Sequence, residues 1–488
     1  ADAIRLARSE AQNAFGSGEL ILERAILQPR HVEVQVFADA HGTVLHFGER
    51  DCSVQRRHQK VIEEAPCPVM TPELRAAMGK AAVEAARAVD YRGAGTVEFL
   101  LGQDGAFYFL EMNTRLQVEH PVTEAITGLD LVELQIRVAR GEPLGLTQDQ
   151  VTLTGHAIEV RLYAEDPDAG FLPSTGPALL WRPPSGPGVR TDAGVETGGE
   201  ISPFYDAMVA KIITYGANRE DARKRLVRAL QDTALFGPKT NRDFLIDALQ
   251  RDVFVRGQAT TAFIDETWGK AGFSAPRPAL TELSAAAVIQ HRLGRNASEE
   301  AALGVAPELL DWSNACHFNS FVQYAVGEDR LGLAVHPDGR DAYTVQGGET
   351  PIKVRVRDMD GQRARLDVNG QALSVVFADA GGGALHMATE TGSFLICDLA
   401  RVVASAADEG GGGMVRAPMH GRLQEICVTE GARVAKGDRL AVLEAMKMQH
   451  QIIAEVDGVV SAILAKAEAQ IGAEDLILEI TPDEEAAA

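Results

Sequence analysis

The chain has 488 residues, a length that allows about two to four domains with sizeable hydrophobic cores. It carries 47 Lys and Arg against 69 Asp and Glu, a formal net charge of −22 that argues against nucleic acid or an anionic membrane as the main partner. Its five cysteines are scattered, and no apolar run approaches the ~20 residues of a membrane span. The sequence therefore predicts a multidomain globular protein of a reducing compartment, which must gather cations locally wherever it binds an anion.

The first 270 residues have the pattern of an α+β domain. The segment "ADAIRLARSEAQNAF" at 1–15 is charged and helical in pattern, without an initiator methionine or a targeting signal, which is typical of the interior of a longer protein. From residue 20 onward, β-rich runs such as "HVEVQVFAD" alternate with helical runs such as "REDARKRLVRALQD". We therefore predict a first domain over 1–270.

A different, mostly β pattern follows. Residues 277–294 have the spacing of an amphipathic helix, "IKVRVR" alternates strictly, and Asp360-Gly361 and Asn369-Gly370 predict hairpin turns. We place this middle domain at 271–405. The glycine-rich "EGGGG" within 406–413 predicts a linker, because glycine does not hold one backbone conformation.

The last domain, 414–482, contains an internal repeat. A shift of 37 residues places Gly421 on Gly458 and Leu440 on Ile477, as judged directly from the sequence. Two similar halves of short strands predict a small all-β domain with pseudo-twofold symmetry, and residues 483–488 form a tail.

Lys447 lies where the two halves of the repeat join, between Met446 and Met448. A lysine at a turn is usually only a solvated charge. Here the repeat, the preceding linker and the flanking methionines together favour a carrier domain that uses the lysine for its amine, at an exposed turn with an adaptable apolar collar.

The densest chemistry lies between residues 98 and 120. In "FLEMNTRLQVE" the strand period puts Glu111 and Asn113 on one face, and with Glu98 they form a set of oxygen ligands suited to Mg²⁺ or Mn²⁺ beside nucleotide phosphates. "ERDCSVQRRHQK" at 49–60 concentrates cations as an anion site requires. A salt-bridged hairpin and a solvated charge run are the alternative interpretations.

Together these stretches resemble the ATP-grasp domain of biotin carboxylases, and "EAMKM" at 444–448 resembles the signature of biotinyl carrier domains, in which the central lysine is joined to biotin. Lipoyl carrier domains share that fold, but the Met-Lys-Met context favours biotin. The resemblance implies a multidomain α+β protein with a partial ATP-grasp biotin carboxylase domain, a connecting domain of one helix and an antiparallel β-barrel, and a small all-β biotinyl carrier domain. The implied cofactors are biotin on Lys447, ATP, and Mg²⁺ or Mn²⁺.

Carried over position by position, the resemblance implies a role for each site residue. It assigns ATP to Glu23, Ile26, His31, Gln55 and His58, and the metal to Glu98, Glu111 and Asn113. It assigns bicarbonate and the biotin ureido oxygen to Lys60, Arg115 and Arg190, and the deprotonation of bicarbonate to Glu119. Biotin carboxylases also have an N-terminal α/β domain and a glycine-rich lid, which this sequence does not contain, so we expect it to be about three quarters of the natural subunit and unable to carboxylate biotin alone.

The sequence leaves little room for a carboxyltransferase between the carboxylase and carrier segments, so the resemblance implies a separate β subunit. "GHAIEVRLYAEDPDAGFLPSTG" is most similar to α subunits for 3-methylcrotonyl-CoA or geranyl-CoA, and less similar to those for propionyl-CoA or acetyl-CoA. A non-catalytic biotin carrier and an ATP-grasp ligase fused to a lipoyl domain remain alternatives. Biotin protein ligase, bicarbonate and ATP are further expected partners, in a bacterial cytoplasm or, in a eukaryote, the mitochondrial matrix.

Overall fold

The computed structural model describes residues 2–21, 24–301, 306, 319–326, 329–401, 413–418, 421–445, 448–472 and 475–482. The predicted tail, most of the predicted linker, and two predicted site residues, Glu23 and Lys447, lie outside the described residues. Within the described part, no helix combines the length and the apolar character that crossing a membrane requires.

An eight-stranded antiparallel sheet dominates the N-terminal region. The strands up to residue 236 are β1 (Arg30–Ala38), β2 (Val44–Arg56), β3 (Gln59–Ala65), β4 (Gly93–Leu101), β5 (Phe107–Asn113), β6 (His156–Tyr163), β7 (Glu165–Asp166), β8 (Leu172–Pro173), β9 (Gly176–Pro177), β10 (Leu180–Arg182), β11 (Val189–Ala193), β12 (Glu200–Ile201), β13 (Met208–Gly216) and β14 (Ala234–Phe236). The sheet has the order β11-β13-β6-β3-β2-β1-β4-β5. The short strands pair as β7 with β8, β9 with β12, and β10 with β14.

Helices cover both faces of this sheet. They are α1 (Asp2–Phe15), α2 (Pro72–Ala88), α3 (His120–Thr127), α4 (Leu131–Ala139), α5 (Arg219–Asp232), α6 (Arg242–Gln250), α7 (Asp252–Val255) and α8 (Phe263–Trp268). Helix α2 begins where the Thr71 side chain accepts a hydrogen bond from the Leu74 N–H. Helix α3 ends at Gly128, whose φ of 72° is the left-handed conformation that glycine adopts at low cost.

The strand alternation of β1 separates an apolar face from a polar one, and both are buried. Val32, Val34 and Val36 belong to the apolar core that includes buried residues of α2. Glu33 and Gln35 point to the other face and are also fully buried. Helix α3 covers that second face by packing on β2, β3, β6 and β13. The sheet therefore holds a layer of ionisable side chains away from water.

The middle region consists of one long helix and a sequential antiparallel sheet. Its elements are α9 (Leu280–Ala301), β15 (Ser320–Val326), β16 (Asp329–Pro337), β17 (Ala342–Gln346), β18 (Ile352–Met359), β19 (Arg363–Val368), β20 (Gln371–Gly381), β21 (Ala384–Ala388) and β22 (Ser393–Cys397). The strands follow one another in chain order, and a bridge between Tyr324 and Asp398 joins the two ends of the sheet. Helix α9 extends past the predicted 277–294 and packs on β16 to β19 and on β21.

The turn predicted at Asn369-Gly370 is present between β19 and β20. Both residues have positive φ, 51° and 84°, the conformation of a two-residue type I′ hairpin turn. The pairing of Val368 with Gln371 closes that turn.

The C-terminal region contains two four-stranded sheets. Its strands are β23 (Met414–Arg416), β24 (Gly421–Ile426), β25 (Arg433–Val434), β26 (Arg439–Ala445), β27 (Met448–Ile453), β28 (Gly458–Ile463), β29 (Gln470–Ile471) and β30 (Leu476–Pro482). The sheet orders are β23-β30-β28-β25 and β27-β26-β24-β29. Three strand pairs, β24 with β28, β25 with β29 and β26 with β30, begin 37 residues apart, the spacing of the sequence repeat.

Candidate active site

A cavity of about 1100 Å³ opens over the buried polar face of the sheet, between the β2–β3 hairpin, β5 and the segment after α8. Ten residues singled out from the sequence line it: Ile26, His31, Gln55, His58, Lys60, Glu98, Glu111, Asn113, Arg115 and Glu119. These residues come from separate strands and loops, so only the fold brings them together.

Lys60 is the centre of the polar cluster in this cavity. Its Nζ donates to the carboxylates of Glu33 at 2.6 Å, Glu119 at 2.7 Å and Glu98 at 3.0 Å. Burial disfavours the ammonium ion, but the surrounding carboxylates outweigh burial and raise the pKa of Lys60. Lys60 therefore stays charged, and three carboxylates share that charge.

Glu33 lies directly beneath the cluster and is fully buried. Burial alone would raise its pKa, but Arg50 and Lys60 outweigh that effect and lower the pKa to about 2. Arg50 also donates to the hydroxyl of Thr123 on α3 at 2.9 Å. The ion pair between Glu33 and Arg50, together with the contact to Thr123, links β1, β2 and α3 below the cavity floor.

Glu98 and its neighbours form a group of oxygen donors that fits a divalent cation. Glu98 and Glu111 are directly opposite on β4 and β5, and the amide nitrogen of Asn113 lies 2.9 Å from a Glu98 oxygen and 3.3 Å from a Glu111 oxygen. His31 Nε2 lies 2.9 Å from the other Glu98 oxygen. Burial opposes ionisation of Glu98, but His31 and Lys60 outweigh it and lower the pKa to about 2. Carboxylate oxygens are ligands that Mg²⁺ and Mn²⁺ prefer, whereas Asn113 here presents its amide nitrogen to the two carboxylates.

Glu119 immediately precedes α3 and is 1% exposed. One carboxylate oxygen accepts from Lys60 and the other from Arg161 Nη2, at 3.0 Å. The cations of Lys60 and Arg161 therefore hold both oxygens of this carboxylate.

The tip of the β2–β3 hairpin brings a strained turn to the cavity. Arg57 and His58 have φ of 49° and 65°, a left-handed conformation that costs free energy for residues other than glycine. The pairing of Arg56 with Gln59 on either side makes this a two-residue turn. The turn directs His58 to the cavity lining.

Arg115 follows β5 and is exposed, and its guanidinium donates to the neighbouring Leu116 carbonyl at 3.3 Å. Because it lines the cavity without a carboxylate partner among the described residues, its charge is available to a ligand.

The structure corrects the placement of Arg190. This residue lies on β11, is about half exposed, and pairs with Asp192 at 2.9 Å and Glu124 at 2.7 Å in a second, smaller pocket. Arg161 on β6, which the sequence interpretation did not single out, lines the cavity beside Glu119. Arg161 and Arg190 each lie in a short β pattern in the sequence. In the sheet, β13 lies between their strands, β6 and β11, and the sequence alone does not show this separation.

The sequence interpretation also missed the buried ionisable residues under the cavity, Glu33, Arg50, Glu63 and Glu159, which are fully buried. In β1 and β6 the alternation marks the faces that carry Glu33 and Glu159, which was a signal for these two residues. Helix α3 packs on β6, β3, β2 and β13 and covers part of the polar face of the sheet.

Three family models match the chain. They describe the carbamoyl-phosphate synthase L chain ATP-binding domain over residues 1–147, the biotin carboxylase C-terminal domain over 159–266, and biotin-requiring enzymes over 413–480. The chain is 39% identical to the propionyl-CoA carboxylase alpha chain of Ruegeria pomeroyi, over 97% of this chain and 73% of that one. It is 38% identical to the mitochondrial methylcrotonoyl-CoA carboxylase subunit alpha of Arabidopsis thaliana, over 96% of this chain and 70% of that one.

Solved structures match the N-terminal region. The biotin carboxylase domain of a thermophilic 2-oxoglutarate carboxylase, bound to bicarbonate, is 43% identical with a TM-score of 0.54, over 56% of this chain and 62% of that one. The biotin carboxylase of Campylobacter jejuni, in a β-γ-ATP complex, is 41% identical with a TM-score of 0.52, over 54% of this chain and 59% of that one.

The matched domains and the cavity define an ATP-dependent ligase component with a biotin-type carrier region on the same polypeptide. The chain belongs to the family of α subunits of biotin-dependent carboxylases, in which a biotin carboxylase region and a biotinyl domain occur together.

Proposed function

We propose that this chain provides, within the complete α subunit, the site for ATP- and bicarbonate-dependent carboxylation of biotin attached to Lys447, and that a separate carboxyltransferase β subunit passes the carboxyl group to an acyl-CoA. The observation that carries the proposal is the convergence of ten predicted site residues on one cavity. A solved relative described as bound to MgADP and bicarbonate supports the same choice of ligands.

The cavity can hold a nucleotide beside a cation. We assign ATP to His31, Gln55 and His58, together with Ile26, and we retain Glu23 as a prediction. Glu98, Glu111 and Asn113 would hold Mg²⁺ or Mn²⁺, which would neutralise charge on the phosphates. Rotation of the Asn113 amide would turn its oxygen, in place of its nitrogen, toward the two carboxylates.

Bicarbonate would bind at the adjacent cations. Lys60 and Arg161 lie on either side of Glu119, so an anion next to this carboxylate meets positive charge from two directions. Glu119 takes the bicarbonate proton, the freed oxygen attacks the γ-phosphorus of ATP, and the bond from that phosphorus to ADP breaks to give carboxyphosphate and ADP. Lys60 and Arg161 hold the anion through this step.

Arg115 is the cation that we assign to the ureido oxygen of biotin, because it is exposed at the cavity. Biotin, when attached to Lys447, supplies the nitrogen that accepts the carboxyl group. We assign Arg161 to bicarbonate in place of Arg190, because Arg161 lines the cavity whereas Arg190 lines the second pocket.

Two contacts support delivery by the carrier. Leu172, at the start of β8, packs against the apolar core of the C-terminal sheets. Burial and the charge of Arg57 both lower the pKa of His450, three residues after Lys447, so this strand lies near the β2–β3 hairpin tip. The carrier strand next to Lys447 therefore lies close to the cavity entrance.

The acyl-CoA that we favour is branched and unsaturated, 3-methylcrotonyl-CoA or geranyl-CoA. Relatives named for methylcrotonoyl-CoA and for propionyl-CoA match over similar lengths, so a propionyl-CoA or acetyl-CoA carboxylase is the second candidate. Purification with the β subunit and measurement of CO₂ fixation on the four acyl-CoAs distinguishes them.

We further propose domain boundaries at 1–270, 271–405, 406–413 and 414–482. The large sheet, the sequential sheet with α9, and the paired four-stranded sheets each fall within one of these segments, which supports the division. The middle domain would be a helix-filled β-barrel that contacts the β subunit, and the last would be a pseudo-twofold carrier that biotin protein ligase modifies. The expected location is the cytoplasm in bacteria or the mitochondrial matrix in eukaryotes.

Bicarbonate-stimulated ATP hydrolysis by the complete subunit, with free biotin as acceptor, tests the proposed reaction. We expect hydrolysis to require bicarbonate and to fall at least about 100-fold in Glu119→Gln, which removes the base but keeps the shape. If the parent hydrolyses ATP at the same rate with and without bicarbonate, the result would favour the other class of function, a non-catalytic biotin carrier and scaffold.

A further inference from the structure

A pair of carboxyl groups lies directly behind the cavity wall and outside the cavity lining. Glu63 on β3 and Glu159 on β6 are opposite each other in the antiparallel pairing. Both are 0% exposed. Directly opposite residues in such a pair have Cβ atoms roughly 4.5–5.5 Å apart, so the two carboxyl groups meet inside the protein.

Glu63 holds the arginine that we assign to bicarbonate. Arg161 Nε donates to Glu63 Oε1 at 2.6 Å, and Arg161 Nη2 donates to Glu119 at 3.0 Å. The planar guanidinium therefore spans from the hidden carboxylate to the carboxylate at the cavity. Because the guanidinium is planar and rigid, the hydrogen bond to Glu63 at one edge restricts the orientation of the edge that faces the cavity.

The pair has too few hydrogen-bond donors if both groups are ionised. Glu63 Oε2 and both oxygens of Glu159 have no partner among the described residues. Two buried carboxylates side by side, with three oxygens that accept no hydrogen bond, would cost considerable free energy. One proton on Glu159 removes this conflict, because the resulting O–H can donate to Glu63 Oε2.

We propose that Glu63 is a positioning residue that fixes Arg161 for bicarbonate, and that Glu159 is the protonated acid which allows Glu63 to stay buried as a carboxylate. This inference rests on the proposed function, which assigns Arg161 to bicarbonate. It adds a two-carboxyl support that lies outside the cavity.

The electrostatics agree with this assignment. Burial, followed by the charge of Glu63, raises the pKa of Glu159 well above the ordinary range. Burial and Glu119 raise the pKa of Glu63 to about 7, while Arg161 and Lys60 oppose them. Lys211, opposite Arg161 on β13, acts on Glu159 as a further cation. The proton is therefore bound more firmly at Glu159 than at Glu63.

Glu64 provides a matched control. It adjoins Glu63 and is 5% exposed, but it faces the opposite side of the sheet, where it pairs with His156 at 2.8 Å and Arg219 at 2.6 Å. Removing either carboxylate breaks a buried ion pair on the same strand. Only Glu63 is connected through Arg161 to the cavity.

The experiment measures steady-state, bicarbonate-dependent ATP hydrolysis and melting temperature for Glu63→Ala, Glu63→Gln and Glu64→Ala in the complete subunit. We expect Glu63→Ala to raise the KM for bicarbonate about tenfold or more while the KM for ATP changes less than about twofold. Glu63→Gln keeps an acceptor for Arg161 and is expected to recover to within about threefold of the parent. Glu64→Ala is expected to lower the melting temperature without changing the bicarbonate KM.

Equal bicarbonate KM values in Glu63→Ala and Glu64→Ala, or no recovery in Glu63→Gln, would overturn the positioning role. If Glu63→Ala does not fold, Glu63→Gln and Glu159→Gln still decide the question. Glu159→Gln replaces a neutral acid with a neutral amide, so we expect bicarbonate and ATP parameters within about twofold of the parent. A loss in Glu159→Gln like that expected for Glu63→Ala would refute the protonated state.

An infrared measurement tests the pair without turnover. We expect the absorption of a buried, protonated carboxylic acid in the parent at neutral pH and its loss in Glu159→Gln. Its absence from the parent would overturn the assignment of the proton. A parent subunit that shows this absorption but no bicarbonate-stimulated hydrolysis would count against the proposed function and leave the carboxyl pair intact.

Discussion

Replacing Lys60 with methionine would remove a cation that contacts Glu33, Glu98 and Glu119 together. Methionine keeps most of the side-chain volume and removes the charge, so the three carboxylates would face one another without their common partner. We expect the variant to be less stable than the parent by about 3–5 kcal/mol at pH 7, the cost of breaking a buried ion pair from one side.

The pKa of Glu33 gives the same order of magnitude. Arg50 and Lys60 overcome burial and lower this pKa from 4.5 to about 2. A depressed carboxylate pKa contributes stability that is present above the unfolded pKa and is lost as pH falls toward the folded pKa. For Glu33 this is about 3 kcal/mol, to which Arg50, Lys60 and, less strongly, His31 contribute.

The destabilisation should depend on pH in a defined direction. Without Lys60 the pKa values of Glu33 and Glu98 rise, so the folded variant can bind protons in mildly acidic solution where the parent binds none. Protons then replace part of the missing positive charge. We therefore expect the stability difference between parent and variant to be larger at pH 8 than at pH 5.

Urea unfolding followed by tryptophan fluorescence at pH 5, 6, 7 and 8 measures this difference. Trp268 is a suitable probe because its ring packs on Phe244, with centroids 4.7 Å apart, in the core of the same region. Lys80→Met is the control, since Lys80 forms an exposed pair with Glu84 and should change stability by less than about 0.5 kcal/mol at every pH. A Lys60→Met loss below about 1 kcal/mol, or one that is constant with pH, would refute the reasoning.

Three further predictions concern the reaction. Arg161→Ala should raise the KM for bicarbonate at least about tenfold, whereas Arg190→Ala should leave it within about twofold, and steady-state kinetics compare them; equal effects would restore Arg190 to the site. Glu98→Gln should weaken binding of Mn²⁺ in the presence of ATP about tenfold, as measured by electron paramagnetic resonance, and unchanged binding would exclude Glu98 as a ligand. Lys447→Ala should abolish the streptavidin signal on blots while Lys466→Ala keeps it, and a biotin signal in Lys447→Ala would rule out that attachment site.

The strands and helices were predictable because the spacing of apolar residues in the sequence matches the buried faces of these elements in the structure. "REDARKRLVRALQD" forms α5 over all of its length, and "HVEVQVFAD" forms β1 with its valines in the core. The turn at Asn369-Gly370 was predictable for a local reason, since both residues tolerate positive φ. Such features depend on neighbours in the chain and can be read without tertiary structure.

Arg161 could not be found in this way. Its partners, Glu63 and Glu119, are 98 and 42 residues away in the chain. They meet because β3 pairs with β6 while α3 begins above both strands. The local sequence "EVRLYAE" identifies Arg161 only as a polar residue on one face of a strand, and Arg190 in "GVRTD" has the same local description.

The charges beneath the cavity suggest why the site tolerates so many carboxyl groups. Five glutamates, at 33, 63, 98, 119 and 159, lie with Arg50, Lys60, Arg161 and Lys211 along and beneath the cavity. Within this set four cations face five carboxyl groups, and the proton that we place on Glu159 makes the two charges equal. A bound anion must then compete with Glu119 for Lys60 and Arg161.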